Sequence, residues 1–90
     1  MAEPLREQIV RLLAREALCN CHLVEETGAS QTNISNHLRQ LRAVGLVSAE
    51  PHGRYTYYRL RPDALRALAA TLTDLADTAD ANAETRRPCP

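Results

Sequence analysis

Two helical segments joined by a tight turn restrict the fold of this chain more than any other feature. The second segment covers about residues 31–43 and follows a Gly-Ala-Ser turn at 28–30. Its apolar side chains Ile34, Leu38 and Leu41 fall four and three residues apart, so they form a single stripe that faces a core. The rest of its surface is polar and has no acidic residue. A polar helix directly after such a turn is typical of the second helix of a helix-turn-helix.

The segments on either side predict a mainly α fold with a small β-hairpin. Helical periodicity indicates a first helix from Pro4 to about residue 15 and a short second one over about 22–27. Residues 46–60 change to β-branched and aromatic residues around a His-Gly-Arg tip, which indicates a hairpin. A last helix follows over about 62–80. This order of elements is that of a winged helix-turn-helix, in which the hairpin is the wing.

The chain is long enough for only one domain with one small core. A chain of 90 residues buries only about two-thirds of its unfolded surface when it folds. Because Phe and Trp are absent, that core is aliphatic. We expect a winged helix-turn-helix domain over residues 1–83 and a flexible tail over 84–90. Within the domain, the recognition helix, the wing and a dimerisation helix take about residues 30–43, 46–60 and 62–80.

The net charge of zero hides an uneven distribution along the chain. Residues 29–62 contain five Arg and one Glu, a net charge of +4, whereas the segments before and after them each have a net charge of −2. The cationic segment covers the polar helix and the wing. Because cationic side chains that neutralise phosphates supply the general affinity of proteins for DNA, this placement favours a nucleic-acid partner.

The outward face of the polar helix and the tip of the wing supply the candidate DNA contacts. Such side chains can hydrogen-bond base edges and phosphates in a major groove. The candidates are Ser30, Gln31, Thr32, Asn33, Ser35, Asn36, His37, Arg39 and Arg54. Of these, Gln31, Asn33 and Asn36 are the candidates for reading bases. Two alternatives stay open: a polar helix face can simply be solvated, and His37 can hydrogen-bond within the fold.

The final helix has more apolar surface than one small core can cover. Four leucines follow one another at spacings of three and four residues, as in a helix that packs against a partner. They are Leu65, Leu68, Leu72 and Leu75. We expect them at the interface of a homodimer. Two-fold symmetry would place two recognition helices about 34 Å apart, one turn of DNA, and therefore predicts a palindromic operator in double-stranded DNA.

Two cysteines separated by one residue are the sharpest chemical feature of the chain. The segment 16–21 lacks helical periodicity, and in an extended segment Cys19 and Cys21 lie on one face, where two thiolates can meet one ion. Thiolates favour soft metals over Mg²⁺ or Ca²⁺. In a reducing compartment, an odd number of cysteines also favours free thiols or metal ligands over a disulfide framework.

The central segments together resemble a known family. The residues responsible are LCNCHLVE at 18–25, GASQ at 28–31, SNHL at 35–38, LR at 41–42 and GLV at 45–47. With the Gly-Arg wing, they resemble the ArsR/SmtB family of metal-responsive repressors. The resemblance covers residues 5–80 of the chain.

The resemblance implies a homodimer that binds an operator palindrome when empty and leaves it when a metal or metalloid binds. A Cys-x-Cys at this place is similar to the family's arsenite and antimonite sensors, in which three thiolates hold the ion. The implied ligands are Cys19 and Cys21, with Cys89 of the same or the other subunit as the third because it is the remaining thiol of the chain. The implied inducer is As(III) or Sb(III), with no organic cofactor. Alternatively, Cys21 is a small buried apolar residue and Cys89 an incidental thiol of the tail. His22 would contribute a nitrogen if the ion were Cd²⁺ or Zn²⁺. Since family members usually have a further helix before the one that begins at Leu5, we expect the last helix to form most of the dimer contact.

Other interpretations stay open. A repressor of the same fold can respond to Cd, Pb or Zn, or to oxidation of its thiols, and a winged helix can bind proteins without contacting DNA. An enzyme is not expected, because no nucleophile-base set, phosphate-binding glycine loop or open metal site appears. No apolar run approaches the roughly 18 residues of a membrane span, and no secretory signal is present. We therefore expect a cytoplasmic protein without a membrane partner.

Overall fold

The structure, a computed structural model, describes residues 4–90, so the first three residues of the domain predicted over 1–83 lie outside the described residues. The helices are α1 (Pro4–Leu13), α2 (Asn20–Thr27), α3 (Gln31–Ala43) and α4 (Pro62–Ala81). The strands are β1 (Leu18–Cys19), β2 (Val47–His52) and β3 (Tyr55–Leu60). The predicted winged helix-turn-helix is confirmed by this order, with α3 as the recognition helix and β2–β3 as the wing.

The wing is part of a three-stranded antiparallel sheet in the order β1-β3-β2. In the hairpin, Val47 pairs with Leu60 and His52 with Tyr55, and Gly53 takes a positive φ of 64° at the tip. The third strand, β1, pairs Leu18 with Tyr58. The sequence predicted the hairpin but not β1, because a two-residue strand is defined by its distant partner rather than by a local pattern.

The core lies between the first three helices and the base of the wing, and it is aliphatic as predicted. The stripe of α3 is buried, with Ile34 fully enclosed and Leu38 and Leu41 nearly so. It packs against side chains from α1, α2, β1 and β2. These are Ile9, Leu13, Leu18, Leu23 and Val47.

The turn between α2 and α3 has the predicted chemistry. Gly28 ends α2 with a left-handed φ of 73°, and its amide donates to the carbonyl of Val24 over 2.9 Å. Ser30 caps α3, because its hydroxyl accepts a hydrogen bond of 3.1 Å from the Asn33 amide. The two helices are therefore fixed relative to each other by a tight, locally specified turn.

Helix α4 differs from the others because none of its residues is buried. Leu68, Leu72 and Leu75 are 43%, 56% and 60% exposed, and Leu65 is half-buried. The molecule is correspondingly elongated, with principal extents of 57 × 26 × 21 Å. Among residues 4–90, no helix is both long and apolar enough to cross a membrane.

Candidate metal centre and nucleic-acid interface

The thiol pair, Cys19 and Cys21, lies at the start of α2. Cys19 precedes the helix in extended backbone, with φ −89° and ψ 169°, and Cys21 is in the first helical turn. Their Cα atoms are 5.4 Å apart and their sulfur atoms form a disulfide bond. The two sulfurs lie together, and their role as thiolate ligands of one ion stays a prediction. The expectations of free thiols and of an extended Cys21 are wrong for this structure, because α2 begins at Asn20 and its first turn brings Cys21 back toward Cys19.

His22 completes a cluster of three potential ligands. Its Nδ1 atom accepts a hydrogen bond of 3.2 Å from the Cys19 amide and lies 3.2 Å from the Cys19 sulfur. The ligand atoms of Cys19, Cys21 and His22 all lie within 4.8 Å of one another, and this is the only such group in the described part of the chain. Cys89 is exposed in the tail and lies outside the cluster. After reduction of the disulfide, two thiolates and one imidazole would form a set that suits soft or borderline ions.

The thiol pair also contacts the wing through the backbone. Cys19 pairs with Tyr57 across β1 and β3, and the rings of Tyr57 and His22 lie 6.0 Å apart. A change in this segment therefore acts on two elements at once, since β3 belongs to the wing and α2 packs against α3.

Most of the predicted DNA face is exposed. Gln31, Thr32, Asn33 and Arg39 all point to solvent, and Arg54 is exposed at the tip of the wing. The Ser30 hydroxyl is engaged as the helix cap. At this end of α3, a phosphate would therefore be bound by the free backbone amides of the first turn. Asn36 is half-buried and accepts a hydrogen bond of 2.9 Å from Arg39.

Two residues predicted on that face turn inward instead. His37 is only 8% exposed, and its Nδ1 atom accepts a hydrogen bond of 3.2 Å from Arg6 of α1. The outward placement predicted for His37 is therefore wrong. Ser35 is half-buried and accepts a hydrogen bond of 2.8 Å from the Asn20 amide group. Local spacing could not reveal either contact, because the partners lie 31 and 15 residues away.

The cationic segment leaves several arginines free to meet phosphates. Arg59 faces Glu50 across the wing at 3.9 Å. The other arginines of residues 29–62 form no ion pair with a described carboxylate, and all are exposed. They are Arg39, Arg42, Arg54 and Arg61. The excess positive charge predicted for this segment is thus exposed to solvent, and ion pairs with described carboxylates leave most of it unneutralised.

A groove of about 370 Å³ connects the thiol pair with the DNA face. Its lining includes Cys19 and Cys21 together with Gln31, Ser35 and Arg54. The ligand cluster and the candidate DNA contacts therefore adjoin each other within one chain.

Comparison with known proteins identifies this arrangement. The family described as "Bacterial regulatory protein, arsR family" matches residues 3–49, which include α1, the thiol pair and the whole helix-turn-helix. The chain belongs to the ArsR family. Because this is a family of transcriptional regulators, the expectation of a regulator rather than an enzyme is confirmed.

Other ArsR-related proteins agree with the assignment. The arsenic resistance transcriptional regulator ArsR1 of Pseudomonas putida is 37% identical over 78 residues, 86% of this chain and 61% of its own length. The chain thus spans about three-fifths of that relative. A solved ArsR-like transcriptional regulator from Rhodococcus is 29% identical, with a TM-score of 0.77 over 89% of this chain and 76% of its own.

A second solved structure bears on the fold. It is a homodimeric winged helix-turn-helix DNA-binding domain from Mycobacterium bovis, 28% identical, with a TM-score of 0.68 over 97% of this chain and 80% of its own. Since both structures are similar to this chain over most of its length, the winged helix-turn-helix class rests on solved relatives as well as on the structure itself.

Proposed function

We propose that this protein is a homodimeric, DNA-binding repressor that leaves its operator when trivalent arsenic or antimony binds the thiol pair. The position of the two sulfurs supports this most directly. They lie at the first turn of α2, and α2 packs against recognition helix α3. A ligand held there acts on the element that would read DNA. The protein would act in the cytoplasm, where it meets the chromosome.

Charge and exposure support binding to double-stranded DNA. Exposed Gln31 and Asn33 can reach base edges from the first turn of α3, and the half-buried Asn36 keeps its amide nitrogen free for the same role. Arg54 extends from the wing tip, from which an arginine can contact the backbone or enter the adjacent minor groove. Buried His37 is left out of this interface.

The DNA-binding half of the proposal is tested with a fluorescent duplex selected from a random pool by the protein itself. Anisotropy titrations should give an association constant whose logarithm falls linearly with the logarithm of the salt concentration. The slope should be about −0.9 for each phosphate that the protein neutralises. No binding to any duplex at low salt would contradict the proposal and would favour a winged helix that binds proteins.

The exposed leucines of α4 support the homodimer. Leu68, Leu72 and Leu75 form an uncovered apolar stripe on a 20-residue helix, and the half-buried Leu65 extends it toward the body. A second copy related by a two-fold axis would cover it with the same stripe. The two recognition helices would then address two half-sites of a palindromic operator.

The donor set fits a soft inducer. Once a thiol reductant has opened the disulfide, Cys19 and Cys21 supply two thiols at one place. Each thiol displaces one hydroxide of arsenous acid, and its proton leaves with that hydroxide as water. We assign the third thiolate to Cys89 of either chain of the dimer. For Cd²⁺ or Zn²⁺ the third donor would be the imidazole of His22, which already lies beside the Cys19 sulfur.

Cysteine variants test the inducer. For reduced wild-type protein on its selected duplex, arsenite or antimonite should release the DNA. The Cys19→Ser/Cys21→Ser double variant should bind the duplex and ignore both ions. The Cys89→Ser variant serves as the matched single-thiol change, and it should weaken the response to arsenite but leave the response to Cd²⁺ intact. A full arsenite response in the double variant would overturn the assignment.

The disulfide favours a second candidate function, a repressor that responds to oxidation. One thiolate attacks a hydroperoxide, which gives a sulfenic acid and releases water or an alcohol; the second thiol displaces water from the sulfenic acid and forms the bond between Cys19 and Cys21. Mass spectrometry separates the two candidates. Peroxide should remove two hydrogens from the protein, whereas arsenite should add a bound metalloid.

A further inference from the structure

We propose that Asn20 is a positioning residue that transmits the state of the thiol pair to the recognition helix through its hydrogen bond to Ser35. This inference rests on the proposed function, in which a change at the thiol pair alters the affinity for DNA. Asn20 is the first residue of α2, and the chain bonds it directly to Cys19 and Cys21. A change in the backbone conformation of either cysteine therefore also displaces Asn20.

The contact that leads from Asn20 to the recognition helix is short and directional. The Nδ2 group donates to the Ser35 hydroxyl over 2.8 Å in a partly buried position. In the part of the chain that the structure describes, no other side-chain hydrogen bond joins α2 to α3. Apolar packing between two helices tolerates small slips, but a hydrogen bond weakens steeply once its angle or length changes. Ser35 is thus sensitive to where the first turn of α2 lies.

The other end of the same side chain has no partner. The Oδ1 atom of Asn20 is buried and accepts no hydrogen bond from any described residue. A buried acceptor without a donor raises the free energy of the arrangement that contains it. Asn20 is therefore only half satisfied in this state, and an arrangement of α2 in which Oδ1 gained a donor would remove this cost. Coupling between two sites needs such an element with two arrangements.

The groove beside the thiol pair shows what a change at Ser35 would move. Ser35 and Gln31 lie one helical turn apart on α3 and line this groove together with Arg54 of the wing. A shift of Ser35 away from Asn20 therefore displaces Gln31, a candidate base contact, in the same direction.

The second polar anchor of α3 provides a contrast. Arg6 of α1 donates to His37 and to Gln40 on the opposite side of the helix. The hydrogen bonds of Arg6 go to α3 and not to the residues of the thiol pair. We therefore expect the loss of this anchor to leave the response to an inducer unchanged.

The experiment measures operator affinity with and without arsenite, and the readout is the ratio of the two. We expect Asn20→Ala and Ser35→Ala each to lower this ratio by about two-fold to ten-fold, the range that one net hydrogen bond supplies. The double variant should lower it no further than either single change. Ser35→Thr keeps the hydroxyl and should retain the wild-type ratio, and Gln40→Ala is the matched control that removes a polar anchor of α3 without touching the thiol pair.

A purely structural role for Asn20 would lower stability and affinity but leave the ratio unchanged, so an unchanged ratio overturns the inference. Arsenite affinity of the free protein should stay within about two-fold of wild type. Ser35→Ala keeps the test decisive if Asn20→Ala does not fold. Ser35 lies in the interior of α3, where alanine is a better helix former than serine. If wild-type protein ignores arsenite, the proposed inducer is wrong, and the same ratio is then taken between reduced and peroxide-oxidised protein. A wild-type protein that responds to neither overturns both proposals.

Discussion

The body of the molecule, residues 4–60, and helix α4 place the same aliphatic side chains in opposite environments. Ile34 of the body is fully buried, whereas Leu72 and Leu75 of α4 are 56% and 60% exposed. Burying one such side chain stabilises a protein by about 1.5–3 kcal/mol, so the body gains this free energy within one chain and α4 does not. The body therefore has a core of its own, whereas the leucines of α4 stay exposed in the single chain.

The largest expected effect is in the core of the body. Ile34→Ala should lower the free energy of unfolding by about 2–5 kcal/mol, because it leaves a cavity where the side chain is fully enclosed. Denaturant titrations followed by circular dichroism measure this, and the loss should be the same at low and high protein concentration. Val44→Ala is the control, since Val44 is 69% exposed and its loss should cost less than about 0.5 kcal/mol. If Ile34→Ala and Val44→Ala lowered the free energy of unfolding equally, the claim that the body has its own stabilising core would be refuted.

The next largest effect is in α4 and should depend on association. Leu72→Asp places a charge at the centre of the exposed stripe and should weaken dimerisation by about 2 kcal/mol or more, roughly 30-fold. Sedimentation equilibrium measures this. Ala70→Asp adds the same charge to the opposite side of the helix and should leave the dimer intact. If Leu72→Asp also leaves the dimer intact, the stripe is not the interface.

A smaller effect is expected at the cap of the recognition helix. Ser30→Ala removes the oxygen that accepts from the Asn33 amide and should cost about 1 kcal/mol of stability. Thermal unfolding measures the difference. The same substitution at Ser48, an exposed strand residue, removes no cap and should be close to neutral. A cost at Ser48 as large as at Ser30 would contradict the role of the cap.

The smallest expected effect is on the salt dependence of DNA binding, which reports how many wings contact one operator. Each Arg54 that contacts a phosphate contributes about 0.9 to the salt dependence of binding, so Arg54→Ala should lower the slope by about 1.8 if two bodies bind. Salt titrations of operator affinity measure it. Arg66→Ala on α4 is the control, since Arg66 already faces Asp63 at 3.4 Å and lies outside the proposed interface. A decrease of about 0.9 would indicate that only one wing reaches the DNA.

The elements that sequence reasoning predicted well are those with local signals. The stripe of Ile34, Leu38 and Leu41 defines α3, and the Gly-containing tip defines the wing. What it missed depends on distant partners. Strand β1 is defined by its pairing with β3, and the partner that hydrogen-bonds His37, Arg6, comes from α1.

At the candidate site the division is similar. The sequence indicated Cys19 and Cys21 as a pair from their local spacing, but it placed both in an extended segment, whereas Cys21 lies in the first turn of α2. It placed Ser35 on the DNA face, and the structure shows its hydroxyl engaged by Asn20, a residue from another helix. No period or spacing in the chain encodes that contact, since it depends on how α2 packs against α3.

The central claim is that binding at the thiol pair and binding of DNA are coupled, and one thermodynamic cycle tests it. Operator affinity is measured with and without arsenite, and arsenite affinity is measured with and without operator, all on reduced protein. We predict that arsenite lowers operator affinity by about ten-fold to hundred-fold and that the operator lowers arsenite affinity by the same factor, as linkage requires. Arsenite binding that leaves operator affinity unchanged would contradict the account.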